Sequence, residues 1–122
     1  MGNAATYICG DILHFTSTKQ YELWHDRAVF HFLTDKKDIL KYVNKAAEYV
    51  TPNGFLIIGT FSPDGPVLCS DLEVQQYSEK TLAGVFSKNF ETIECFTENH
   101  TTPLGGIQNF VFCILKRKVN KQ

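Results

Sequence analysis

Apolar positions in this 122-residue chain fall into short runs separated by polar turns, and the spacing within each run predicts alternating strands and helices. Thr6 to Cys9 is a short β-prone run, and Gly10-Asp11 then turns the chain. Tyr21 to Trp24 is brief, apolar and bounded by polar residues, as a buried strand is. From Arg27 the period changes, with Val29, Phe32 and Leu33 at i, i+3 and i+4 on a helical turn. A strand therefore hands over to a helix at His25, Asp26 and Arg27.

Thr34-Asp35 suits a helix N-cap, and Ile39, Val43, Ala46, Ala47 and Val50 recur at helical spacing, which predicts a helix over 35–50 with one face on a sheet. Residues 51–54, Thr-Pro-Asn-Gly, stop it, because proline cannot continue a helix and Asn-Gly adopts left-handed conformations readily. Phe55 to Phe61 is continuously apolar, as expected of a central strand covered on both faces. Ser62 to Pro66 is a loop at that strand's carboxyl end, and Val67 to Gln76 has no clear period. Ser78 caps a short helix carrying Leu82, Val85 and Phe86 on one side. Phe90 to Thr97 and Ile107 to Lys116, separated by a Pro- and Gly-containing turn, predict an antiparallel pair at the end of the sheet.

Length and composition place these elements in one domain, residues 1–122. With 43% hydrophobic residues and ten phenylalanines there is ample material for a core. A formal charge of -1 and the absence of a basic run before the tail argue against nucleic acid as a partner. No apolar run reaches the ~18 residues of a membrane span, and the N-terminus lacks the pattern of a signal peptide, so a soluble cytoplasmic protein is expected. Cys9, Cys69, Cys95 and Cys113 lack Cys-x-x-Cys spacing and read as reduced structural thiols. Residues 1–6 match the N-myristoylation pattern formally at Gly2 and Thr6, and Asn99 to Thr101 matches the glycosylation pattern. Both patterns are short enough to arise by chance.

Candidate chemistry concentrates where the first long strand ends, since ligands of open α/β sheets sit outside the carboxyl ends of strands. His25, Asp26 and Arg27 could orient a substrate or shuttle a proton, or they could form a strand-end salt bridge. Asp11 reads as a turn residue. His31, on a helical turn among phenylalanines, reads as a core histidine, and His14 likewise. His100 could face the mouth of a site or stand in solvent on the terminal hairpin. No His and carboxylate spacing makes a metal site.

The ordered set of Gly10-Asp11-Ile12, Tyr21 to Leu33, Pro52-Asn53-Gly54 before a strand, and the terminal pair around His100 to Pro103 resembles the carboxyl-terminal portion of class I S-adenosylmethionine (SAM)-dependent methyltransferases. The resemblance runs from about Ala5 to Arg117, with Glu22 standing where relatives commonly carry Asp. It implies a Rossmann-like α/β sheet, mostly parallel with an antiparallel carboxyl-terminal hairpin. SAM is the implied cofactor. Asp11 and Ile12 would meet the adenine, and Trp24 and His25 the methionine part. His25, Asp26 and Arg27 would line the methyl-transfer zone as catalytic residues, while Arg27 and His100 would contact a small-molecule acceptor.

The family's Gly-x-Gly-x-Gly loop and its ribose-binding acid have no counterpart in these residues. Against the family order 3-2-1-4-5-7-6, only strands equivalent to 3-4-5-7-6 are expected, with strands 1 and 2 absent. Such a truncated sheet would leave Tyr21 to Trp24 as an open apolar edge. That edge calls for a cover: a second copy in a homodimer, another chain supplying the missing strands, or Met1 to Gln20 folding back. The resemblance thus implies either a methyltransferase segment inactive as an isolated chain or a silent remnant serving as a dimeric interaction module.

Overall fold

The computed structural model describes residues 19–27, 29–69 and 72–119. Asp11, Ile12, His14, Gly2, Cys9 and the Thr6 to Cys9 run lie outside them. Strand β1 spans Tyr21–Arg27 and is followed by a single 3₁₀ turn at Phe30–Phe32 and by helix α1, Lys36–Tyr49. Then come β2 (Val50–Phe61), the short strands β3 (Leu68–Cys69) and β4 (Leu72–Glu73), helix α2 (Glu79–Phe86), and the hairpin β5 (Phe90–Thr101) and β6 (Ile107–Arg117). Among the described residues the main sheet has the order β1-β2-β6-β5, and β3 and β4 form a separate two-stranded sheet.

Local chemistry explains the helices. The Asp35 carboxylate accepts from the Lys37 N–H at 2.7 Å, and Asp38 adds negative charge to the first turn of α1. Tyr42, Val43, Ala46, Ala47 and Tyr49 form its buried face. Ser78 and Thr81 make a reciprocal capping box that starts α2, and Leu82 and Phe86 are its buried residues. The expected helix from Arg27 is reduced to the one 3₁₀ turn, because β1 continues through Arg27. His25, Asp26 and Arg27 stay in register with Ile57, Ile58 and Gly59 of β2.

Residues 51–54 do not form a separate loop. They belong to β2, which opens as soon as α1 closes. The β1–β2 register slips there, from Tyr21 opposite Val50 to Leu23 opposite Phe55. Asn53 takes a left-handed φ of 67°. A Cβ on Gly54 would lie 2.9 Å from the Thr51 carbonyl and 3.0 Å from that of Glu22, so glycine is required at the bulge.

The balance of the sheet also differs from expectation. Among the described residues β1–β2 is the parallel pair, whereas β2–β6 and β6–β5 are antiparallel, so this part is mostly antiparallel. The expected β5–β6 hairpin supplies both antiparallel pairs, and the Thr6 to Cys9 run counted in the expected sheet lies outside the described residues.

Side chains alternate between two faces. On one, Trp24, Leu56, Ile58, Val111, Cys113 and Leu115 pack with α1 and α2 around Phe30, Tyr42 and Phe86. On the other, Phe61, Phe110 and Phe112 form a smaller cluster with Val74 against it. That face is only partly covered, since Leu23, Phe55 and Phe96 are exposed and Ile57 half-buried. β2 is therefore central in order but not covered on both sides along its length.

Cys95 and Cys113 are joined by a disulfide, correcting the expectation of reduced thiols for this pair. The hairpin register sets them directly opposite, with Cα atoms 4.2 Å apart. Sequence spacing alone does not reveal that pairing.

Candidate functional site

The carboxyl ends of β1 and β2 meet the start of β6 and the end of β5, and the predicted site residues of the described chain gather along this edge. Strand alternation divides them at once. Trp24 and Asp26 point toward α1, whereas His25 and Arg27 point to the opposite face and are exposed.

Asp26 is buried and fully engaged. Its carboxylate accepts from the Val29 N–H at 3.0 Å and the Phe30 N–H at 3.1 Å, tying down the turn after β1. It also accepts a short hydrogen bond from the Tyr42 hydroxyl, which in turn accepts from the Trp24 indole N–H at 3.2 Å. Burial raises the Asp26 pKa above its usual value, against the lowering effect of the Tyr42 bond, the two backbone N–H groups and the nearby His25. Burial also raises the Tyr42 pKa well above the ordinary phenol value, with the Asp26 charge adding to it. Trp24 stacks parallel to Tyr49 at 6.4 Å within the core. Asp26, Tyr42 and Trp24 thus make a structural network beneath the turn.

Arg27 lies over Phe110 of β6, its guanidinium carbon 4.9 Å from the ring centroid. His100 of β5 meets the same ring edge-on at 6.3 Å. Two residues 73 positions apart in the chain therefore converge on one aromatic side chain. His25 shares their face, two residues before Arg27. Behind them Ser62 bonds the Asn109 side chain, and Asn109 donates to Asn99 at 2.7 Å, fastening the loop after β2 to the terminal hairpin.

His31 is a core histidine, as the sequence suggests. It is buried, packs on Phe61 at 4.6 Å, and accepts the Phe61 N–H on Nδ1 at 3.1 Å. Among the described residues Nε2 has no hydrogen-bond partner. Desolvation lowers its pKa from 6.5 to about 4.

Three residues important here are not evident from motif reading: Tyr42, Gly59 and Phe110. Tyr42 sits one position before the predicted apolar face of α1, so its partner across the fold is not foreseeable. Gly59 did carry a signal, since a glycine inside an apolar strand often marks close approach of another group. A Cβ there would lie 2.3 Å from a Phe112 ring carbon.

Of the residues assigned to SAM, Asp11 and Ile12 fall outside the described chain, Trp24 is held in the core, and His25 is open to a ligand. Among the described residues no group of three or more His, Cys, Asp or Glu side chains could hold a metal ion, and no helix is long and apolar enough to cross a membrane.

No protein-family model matches the chain, and no curated protein matches it. Solved structures do. The N-methyltransferase NodS from Bradyrhizobium japonicum, in complex with S-adenosylhomocysteine (SAH), aligns with a TM-score of 0.69 at 14% identity, over 88% of this chain and 52% of that one. A SAM-dependent methyltransferase from Methanosarcina mazei gives a TM-score of 0.71 at 10% identity, over 91% and 66%. The 1,6-didemethyltoxoflavin-N1-methyltransferase of Burkholderia thailandensis, with bound 1,6-didemethyltoxoflavin and SAH, gives 0.70 at 14%, over 92% and 50%. The chain spans half to two thirds of the length of these three proteins, and over that span its fold is the fold of SAM-dependent methyltransferases.

Proposed function

We propose that the chain is the carboxyl-terminal segment of a SAM-dependent methyltransferase that transfers a methyl group to a small molecule in the cytosol. The observation that carries this reading is the sheet β1-β2-β6-β5, one parallel and two antiparallel pairs, which superposes on methyltransferases over about nine tenths of the chain.

Within it, Asp11 and Ile12 contact the adenine and His25 faces the methionine part. Arg27 and His100 position the acceptor. Asp26 and Trp24, both buried, act on the site by holding the turn after β1. This reading requires a glycine-rich loop, which the 122 residues do not contain. Direct methyl displacement needs alignment of nucleophile and methyl carbon more than acid-base groups, which suits a site with few ionisable side chains.

A second reading is favoured by one observation. Among the described residues β1 pairs on one side only, and Leu23 and Phe55 beside that edge are exposed. On this reading the chain is a dimeric interaction module joined through Tyr21 to Trp24.

Calorimetric titration of the chain with SAM and SAH, alongside light scattering, separates the two. The methyltransferase reading expects binding only when a segment carrying the glycine-rich loop is added. No binding in either condition, together with a dimer at micromolar concentration, would favour the interaction module.

A further inference from the structure

We propose that Arg27 is the carboxylate-binding residue of a ligand site on the open face of the sheet, positioned by Gly59 and Phe110 to receive an aromatic carboxylate. Only the ligand's role as methyl acceptor rests on the reading above; the binding itself does not.

Two strand registers build the site. Arg27 lies opposite Gly59 across β1–β2, and Phe112 lies opposite Gly59 across β2–β6. Because Gly59 has no side chain, the Phe112 ring closes over the middle strand, and Arg27 reaches past it to Phe110. The ring face attracts the guanidinium but accepts no in-plane hydrogen bond, so this contact does not use up the N–H donors at its rim. Among the described residues no carboxylate or carbonyl pairs with Arg27. The result is an exposed guanidinium fork, held over an aromatic ring, of the kind that pairs with a carboxylate.

The surroundings specify the rest of the ligand. Phe110 and Phe112 lie 5.8 Å apart with planes inclined by 20°, and Phe112 and Phe96 lie 5.4 Å apart at the same angle. This ladder of near-parallel rings runs from beneath Arg27 to Phe96, which is 37% exposed. A flat apolar body fits beside it with its anionic end at Arg27. His100, edge-on to Phe110, offers a ring nitrogen on the far flank. Glu98 stands opposite Phe110 on β5, faces the same side and makes no ion pair with Arg27. Its charge weighs against a dianionic phosphate more than against a single carboxylate.

The test titrates the full chain with benzoate, its neutral isostere benzamide, phenyl phosphate and L-methionine, with and without SAH. Benzoate is expected to bind about tenfold or more tighter than benzamide, as a charge-assisted fork requires. Arg27→Gln should abolish that difference. Arg27→Lys should keep only a minor part of it, because the charge remains and the planar fork is lost. Phe110→Leu should weaken benzoate by roughly three- to tenfold, consistent with loss of a stacking contact.

Equal affinity for benzoate and benzamide, or benzoate binding unchanged in Arg27→Gln, would overturn the site. Tighter binding of phenyl phosphate would overturn the choice of carboxylate. Preference for L-methionine would assign the fork to the amino-acid end of the cofactor and overturn the aromatic ligand. Benzoate binding by a chain that never binds SAM or SAH would leave the site standing and remove the methyl-transfer reading.

Discussion

Alternate side chains of β1 enter two different environments. Trp24 and Asp26 pass into the helix-covered face, where the indole N–H, the Tyr42 hydroxyl, the carboxylate and two backbone N–H groups satisfy one another out of water. His25 and Arg27, one position along in each case, emerge on the opposite face, where Arg27 rests on Phe110 and, among the described residues, pairs with no carboxylate. Four consecutive residues that look like one active-site motif are thus two sets with different work. Residues adjacent in a strand are not neighbours in a site, because successive Cβ atoms point to opposite faces.

The strongest way to break this comparison is to remove one member of each set. Asp26→Ala leaves the Phe30 N–H and the Tyr42 hydroxyl buried, and the Val29 N–H half-buried, without their acceptor, and should cost about 3–5 kcal/mol. Arg27→Ala removes an exposed side chain with one ring contact and should cost less than about 1 kcal/mol. Urea unfolding midpoints at constant m-value measure both. Similar losses for the two variants would mean that the faces are not distinct in the way the structure implies.

Much of the fold was legible because its causes are local. Asp35 and Ser78 cap their helices with the residues that follow them, and Leu82 and Phe86 repeat at the spacing of one helical face. The terminal hairpin announced itself by two β-prone runs around a turn. What could not be read depends on register between distant strands. The bulge at residues 51–54 forms against Tyr21 and Leu23, and the Cys95–Cys113 disulfide depends on how β5 lies on β6. The candidate site divides in the same way. Arg27 and His100 were visible as residues, but their meeting on Phe110 depends on the order and register of all four strands.

A pH series sharpens the comparison from the buried side. His31 is held near pKa 4 in the folded chain against 6.5 when unfolded, so between those values the unfolded state binds more protons. Its contribution to stability is complete above pH 6.5 and is lost as pH falls toward 4, by roughly 3 kcal/mol. The geometry agrees, since Nδ1 accepts the Phe61 N–H and a protonated ring has no lone pair to offer there. Asp26 works in the opposite sense. Its folded pKa is raised, so between 3.8 and that value the folded state binds more protons, which offsets part of the loss at the acid end. Unfolding midpoints between pH 7.5 and 4 should therefore fall most steeply below 6.5. A flat profile through that range would show that His31 is not held neutral by burial.

A smaller effect than that of Asp26 or His31 tests the open face. Gly59→Ala places a methyl group 2.3 Å from a Phe112 ring carbon, so the ring must shift within a packed cluster. Overpacking of this kind costs about 1–3 kcal/mol. The contact is isolated by repeating the substitution in a Phe112→Leu background, where a smaller side chain leaves room for the methyl. If the Phe112 ring is what excludes a side chain at residue 59, Gly59→Ala should cost less than about 1 kcal/mol in the double variant. An undiminished cost there would show that the glycine serves the strand backbone rather than the passage of Arg27 toward Phe110.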